Sequence, residues 1–259
     1  MAVAMAEGGL MMTVISGVGP PVVFIAQLGG GGALWKPVID LLTTGPTTVA
    51  YDRPGTGNAP PRPAPNPALP YSAFAEELAV LLADHGVTEP SVIVGHSVGS
   101  LIARVFADRH PGRVAGMVHV DGSVPRLNLW PAIEELEGPD GDGPTATAFD
   151  VVAGEVEILD ARMPQVPSVV VSRGPGIWPL KWNPAQAEPL WHAYQRQLAR
   201  QWAAPRVLAA GAGHQIPAEA PRLVAHVIDA IVEAVRTATP WQPDPAALQA
   251  VGGELDPAG

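Results

Sequence analysis

The stretch that most narrows what this chain can become is residues 91–99, SVIVGHSVG. Val92-Ile93-Val94 is a short apolar run of the kind that makes a buried strand. Leu101, Ile102, Val105 and Phe106 follow at helical spacing. Between the two lies Gly95-His96-Ser97-Val98-Gly99, a G-x-S-x-G pattern. A strand that passes into a helix through so short a turn forces the serine backbone into a strained conformation. Side chains at the flanking glycine positions would clash. Such a turn lifts the Ser97 hydroxyl above a sheet edge and sets the Val98 N–H at a helix N-terminus, where negative charge is favoured.

The rest of the chain repeats this alternation. Strands are expected at residues 10–16, 22–25, 47–51, 114–120, 166–172 and 205–209, and helices at 35–42, 71–85 and 185–202. A last long helix is read from Leu223, Val224, Val227, Ile228, Ile231, Val232 and Val235. Ser72 is the expected N-cap of helix 71–85, with Glu76 and Glu77 complementing its dipole. The pattern predicts an α/β fold with a mostly parallel central sheet flanked by helices, and function at the strands' C-terminal ends. Residues 1–121 and 166–239 form one core in this reading. Residues 122–165 break the alternation and are expected to be a lid insertion over the active edge. Leu127, Leu129, Trp130, Ile133 and Leu136 would be its apolar face, and its many acids a solvated one. Residues 240–259, rich in Pro, Gly and Ala, are expected to be a loose tail.

Composition removes several function classes. A net charge of −10 argues against nucleic acid and anionic membranes as partners. With no cysteine, disulfides, thiolate zinc sites and cysteine nucleophiles are excluded. The first residues carry Glu7 and no basic region, and no apolar run reaches spanning length, so a cytoplasmic protein is the expectation.

A serine hydroxyl needs a base to become a nucleophile, and the base needs a carboxylate to fix its tautomer. Of seven histidines, only His214 follows a strand directly, in the Gly-rich loop Gly211-Ala212-Gly213-His214. His96 lies inside the turn and is expected to point away from the serine. His119 lies within a strand and reads as core. The carboxylate should close a strand between serine and histidine. Asp121 closes strand 114–120, whereas no acid follows strand 166–172 until Glu188; Asp150 and Asp160 remain as lid candidates. Two backbone N–H groups should hold a developing oxyanion: that of Val98, and one from the loop Gln27-Leu28-Gly29-Gly30-Gly31-Gly32. Leu28 is the choice there and Gly29 the second.

These pieces together resemble the α/β-hydrolase-fold serine hydrolases. The resemblance rests on QLGGGG with Trp35, YDRPGTG at residues 51–57, GHSVG, HPGRVAGMVHVD at 110–121, WHAYQRQLA at 191–199 and GAGHQIP at 211–217. Where that family usually has His-Gly before the oxyanion residue, this chain has Ala26-Gln27. The resemblance implies a Ser97–His214–Asp121 triad cleaving an ester, thioester or lactone of a small, fairly apolar molecule. Gly29, Leu129, Trp130, Ile133 and Trp178 would line the substrate site. No metal or organic cofactor is implied, and the oligomeric state stays open. A non-hydrolytic step such as elimination, cyclisation or acyl transfer, or ligand binding without turnover, would use the same pocket.

Overall fold

A computed structural model describes residues 2–5, 11–124, 139–140, 147–176 and 184–256. Its strands are β1 (Ala2–Met5), β2 (Met11–Ile15), β3 (Val22–Ile25), β4 (Thr48–Asp52), β5 (Ser91–His96) and β6 (Val114–Val120). A two-residue ladder, β7 (Pro139–Asp140) with β8 (Thr147–Ala148), stands apart; β9 (Ser168–Arg173), β10 (Arg206–Ala209) and β11 (Gly253–Leu255) complete the set. The helices are α1 (Lys36–Ile39), α2 (Tyr71–Asp84), α3 (Val98–Arg109), α4 (Val151–Asp160), α5 (Pro184–Gln201), α6 (Ile216–Glu219), α7 (Pro221–Thr237) and α8 (Pro245–Ala250).

The main sheet runs β1-β2-β4-β3-β5-β6-β9-β10-β11, and β5, the strand ahead of Ser97, sits at its middle. The pairs from β4 to β10 are parallel; β1, β2 and β11 join antiparallel at the two edges. The inner strands are mostly apolar along both faces because both faces are covered. Val23, Ile25, Ile93, Met117 and Val170 pack with α2, α3 and α4. Val22, Phe24, Val92, Val94, Val118 and Val171 pack on the other face with α1, α7 and α8. On α7, Leu223, Val224, Val227, Ile228, Ile231 and Val232 are fully buried, each worth about 1.5–3 kcal/mol of transfer.

The structure corrects four expectations. Residues 240–256 are not a loose tail. Asp244 caps α8, its carboxylate accepting from Ala246 N at 2.9 Å, and β11 extends the sheet beside β10. Asp256 then pairs with the buried Arg206. Ser72 is not an N-cap: α2 starts after Pro70 without a side-chain cap, and the Ser72 N–H donates to Glu157 of α4 at 2.9 Å. Glu76 and Glu77 lie beyond the first turn of α2 and pair instead with Arg109, His110 and Arg62. The acids of 122–165 are not all solvated, for Glu155 is buried on α4. That helix packs against α2 and α3, with Phe149 ahead of it stacked near Phe74 at 4.6 Å between ring centroids. Residues 125–138, including Leu127, Leu129, Trp130, Ile133 and Leu136, lie outside the described residues, as does Trp178.

Candidate active site

Ser97 takes φ 55° and ψ −125° between β5 and α3. Only a forced turn holds a non-glycine residue there. The forcing is steric. A Cβ on Gly95 would come within 2.6 Å of the Gly99 carbonyl oxygen, and one on Gly99 would run into the Ile25 carbonyl of β3. Strand, helix and neighbouring strand therefore close on one another only through glycine, and the serine is left at the tip.

His214 follows β10 in its Gly-rich loop. Its Nε2 lies 3.0 Å from Ser97 Oγ and its Nδ1 2.6 Å from Asp121 Oδ2. Arg173 Nη2, which only donates, also lies 2.8 Å from Nδ1, but the shorter pairing with the accept-only carboxylate puts the ring proton on Nδ1 and leaves Nε2 to accept the serine's. Asp121 is fully buried just past β6, at φ 42°. Burial pushes its carboxyl pKa upward. The His214 hydrogen bond and the Arg173 charge outweigh that and hold it well below the usual carboxylate range. Asp150, the alternative acid, is occupied elsewhere, capping α4 through Ala153 N at 3.0 Å.

Two residues that the sequence reading passed over hold this carboxylate. Arg173, at the end of β9, donates to Asp121 Oδ2 through Nε at 2.7 Å and to Oδ1 through its backbone N–H at 3.1 Å. It stands where an acid was looked for and not found. Trp191 of α5 donates its indole N–H to Asp121 Oδ1 at 2.9 Å, and the Arg173 guanidinium lies 4.4 Å over its ring. The only sequence signal for Arg173 was its place at a strand's C-terminal end.

The Gln27–Gly32 loop is fastened by its neighbours. Arg53, 1% exposed, donates to the Ala26 and Gln27 carbonyls at 2.9 and 2.7 Å. Asp52 accepts from Gly32 N at 2.7 Å and from Asn58 N at 2.9 Å. Gly29 sits at φ 67° in the turn closed by Gly30 N to Gln27 O at 3.0 Å. Among the described residues, no hydrogen bond engages the N–H of Leu28 or of Val98. Both donors remain available to a substrate oxygen.

His96 takes a part that its position alone did not reveal. Its Nε2 donates to the His214 carbonyl at 2.7 Å, and its Nδ1 lies 2.5 Å from the amide end of Gln27. Burial, and then the nearby His214, lower its pKa to about 3, so the ring is neutral. Nδ1 faces Gln27 Oε1, so a neutral ring with its one proton on Nε2 accepts there only with the Gln27 amide turned to present its NH2. Gln27 reaches on to Gln215 at 2.9 Å. His119 is core, as expected, with Nδ1 2.8 Å from Ser100 Oγ.

A mostly parallel sheet with a strained serine turn at its middle strand, and a histidine and an acid on later strand ends, defines the α/β-hydrolase fold. The alpha/beta hydrolase fold family model matches residues 20–147. The chain has the alpha/beta hydrolase fold. A protein of Escherichia coli O157:H7 (strain EC4115 / EHEC) named "Putative carbamate hydrolase RutD" is 37% identical over 103 residues, which is 40% of this chain and 38% of that protein. The chain thus matches well under half the length of such relatives. A thermophilic esterase from Thermogutta terrifontis, solved with malate bound, superposes with a TM-score of 0.62 at 18% identity, over 90% of this chain and 97% of its own. An E-2-(acetamidomethylene)succinate hydrolase gives 0.62 at 19%, over 90% and 99%. At these identities the likeness is one of fold. Among the described residues no helix is long and apolar enough to cross a membrane.

Proposed function

We propose that this chain is a serine hydrolase that cleaves an ester, thioester or lactone of a small molecule through an acyl-enzyme on Ser97. The observation that carries the reading is the unbroken proton line from Ser97 Oγ through His214 to the buried Asp121. In this mechanism Ser97 Oγ attacks the carbonyl carbon while His214 Nε2 takes its proton. The carbonyl oxygen becomes an oxyanion, held by the Leu28 and Val98 N–H groups. The intermediate collapses, the bond to the leaving group breaks, and His214 returns the proton to the departing oxygen or sulfur. Water, deprotonated by the same histidine, then releases the acid and restores Ser97. Residues 122–165 serve as the lid. The carbamate named for the Escherichia coli relative differs only in the atom beside the carbonyl, so carbamates belong in the substrate screen.

A fluorophosphonate probe should label Ser97 in the wild type and not in Ser97→Ala. That variant should keep its fold and lose roughly 10⁴-fold or more in turnover. Reaction in ¹⁸O-labelled water should place solvent oxygen in the acid product. Label-free product would mean a non-hydrolytic reaction, and an unlabelled Ser97 would mean a site that binds without turnover.

A further inference from the structure

Beside Ser123 opens a cavity of about 280 Å³, walled in part by Arg104, Ile158, Met163, Tyr194 and Gln195. Ser123 Oγ is 3.2 Å from Ser97 Oγ, so the cavity begins one hydroxyl away from the candidate nucleophile. Its volume equals that of roughly nine water molecules, enough for a short substituent.

Two polar members of this wall, Arg104 and Gln195, are not fully satisfied by the fold. Arg104, on α3, is 4% exposed. Its Nε is buried with no hydrogen bond, and among the described residues its guanidinium makes no hydrogen bond or ion pair at all. Other buried or half-buried arginines in the chain are engaged: Arg53 and Arg113 with carbonyls, Arg173 with Asp121, Arg206 with Asp256. The acid whose charge acts on Arg104 is Glu155, buried on α4, and the two form no ion pair. A buried cation without a partner is strongly unfavourable, and folds retain one chiefly where something else pairs with it.

Gln195 shows the same imbalance. Its Nε2 donates to the Gly122 carbonyl at 2.7 Å, which fixes the amide, because the reversed group would set two oxygens against each other. Its Oε1 is then buried without a partner. Outside the wall, His119 Nε2 and Trp202 Nε1 are also buried and unpaired, their rings 5.0 Å apart. Ile158, Met163 and Leu198 give the cavity an apolar side. The wall therefore combines one positive charge, unmet polar atoms and an apolar flank.

We propose that this cavity is the specificity pocket of the site, and that it takes an arm of the substrate ending in a carboxylate, which pairs with Arg104. The proposal rests on Ser97 being the nucleophile. It replaces the fairly apolar substrate expected from sequence with an apolar body carrying one anionic end. A net charge of −10 would not draw such a substrate in, so recognition is local to the cavity.

Two ester pairs test it. Nitrophenyl hemiglutarate and nitrophenyl pentanoate share an acyl length and differ in the terminal carboxylate. 4-Acetoxybutanoate and butyl acetate place the same difference on the alcohol side. The wild type should favour the charged member of one pair by about tenfold or more in kcat/KM, the range expected for one charge-assisted hydrogen-bond pair. Arg104→Gln should abolish that preference, mainly through KM; Arg104→Lys should keep part of it. No preference in either pair, preference for the neutral ester, or a preference that survives Arg104→Gln overturns the proposal. If Arg104→Gln does not fold by circular dichroism, the wild-type pairs and Arg104→Lys still decide. Fluorophosphonate labelling separates the layers. A labelled Ser97 without charge preference removes only the pocket, whereas an unlabelled Ser97 removes the hydrolase reading with it.

Discussion

The Asp121 carboxylate accepts from His214, from both the side chain and the backbone of Arg173, and from Trp191. So many donors fix its orientation and keep it ionised far into acid. Asp121→Asn would present an amide N–H to partners that are all donors and leave His214 without the acceptor that selects its tautomer. Turnover should fall on the order of 10⁴-fold with the fold retained. Asp150→Asn, assayed beside it, should cost no turnover, since Asp150 only caps α4. The reverse pattern would put the working acid on the 122–165 segment. At this scale the juxtaposition of Ser97, His214 and Asp121 could be anticipated because each stands at or within a few residues of a strand's C-terminal end. Arg173, Trp191, Arg53 and Gln27 were not legible. Their roles exist only through partners far along the chain, such as the 70 residues between Trp191 and Asp121.

The inner strands and α7 were legible as elements because an apolar run or a helical stripe is a local property. The C-terminal elements were missed because proline, glycine and alanine dominate them. Yet Asp244-Pro245 is an N-cap followed by a proline in the first helical turn, a start signal that composition masked. Asp256, at the end of this unit, pairs with Arg206, which is 1% exposed and also donates to Ser172 Oγ at 3.0 Å. Asp256→Ala would leave that cation short of its carboxylate and should destabilise the chain by about 3 kcal/mol in chemical denaturation. An unchanged midpoint would show that the last strand is held by backbone pairing alone.

For the molecule as a whole, the sequence foretold a parallel sheet but not its strand order, which depends on which crossovers pass over which neighbours. Two buried histidines on adjacent central strands shape the pH response. Burial lowers the pKa of both His96 and His119 to about 3. In the unfolded chain they would titrate near 6.5, so between those values the unfolded state binds more protons and stability falls as pH falls. Each histidine contributes about 1.4 kcal/mol per pH unit across that window. Asp121, whose folded pKa is depressed, adds loss in the same direction only below about pH 4. Denaturation midpoints between pH 6 and 4.5 should therefore drop steadily, and His119→Gln should roughly halve the slope. A flat wild-type profile over that range would contradict the neutral state of both rings.

His96 touches the loop that carries the base, through the His214 carbonyl, and the loop beside the oxyanion donors, through Gln27; its own backbone is the residue before Ser97. One ring thus serves as the common reference from which the proposed nucleophile, base and oxyanion donors are all measured. Parts referenced to one point keep their spacing when everything around them is exchanged. Variation among α4, α5 and the residues that wall the cavity is free to change which molecule enters without retuning how it is cut. The same arrangement makes His96 the position where a change would detune the reaction for every substrate alike.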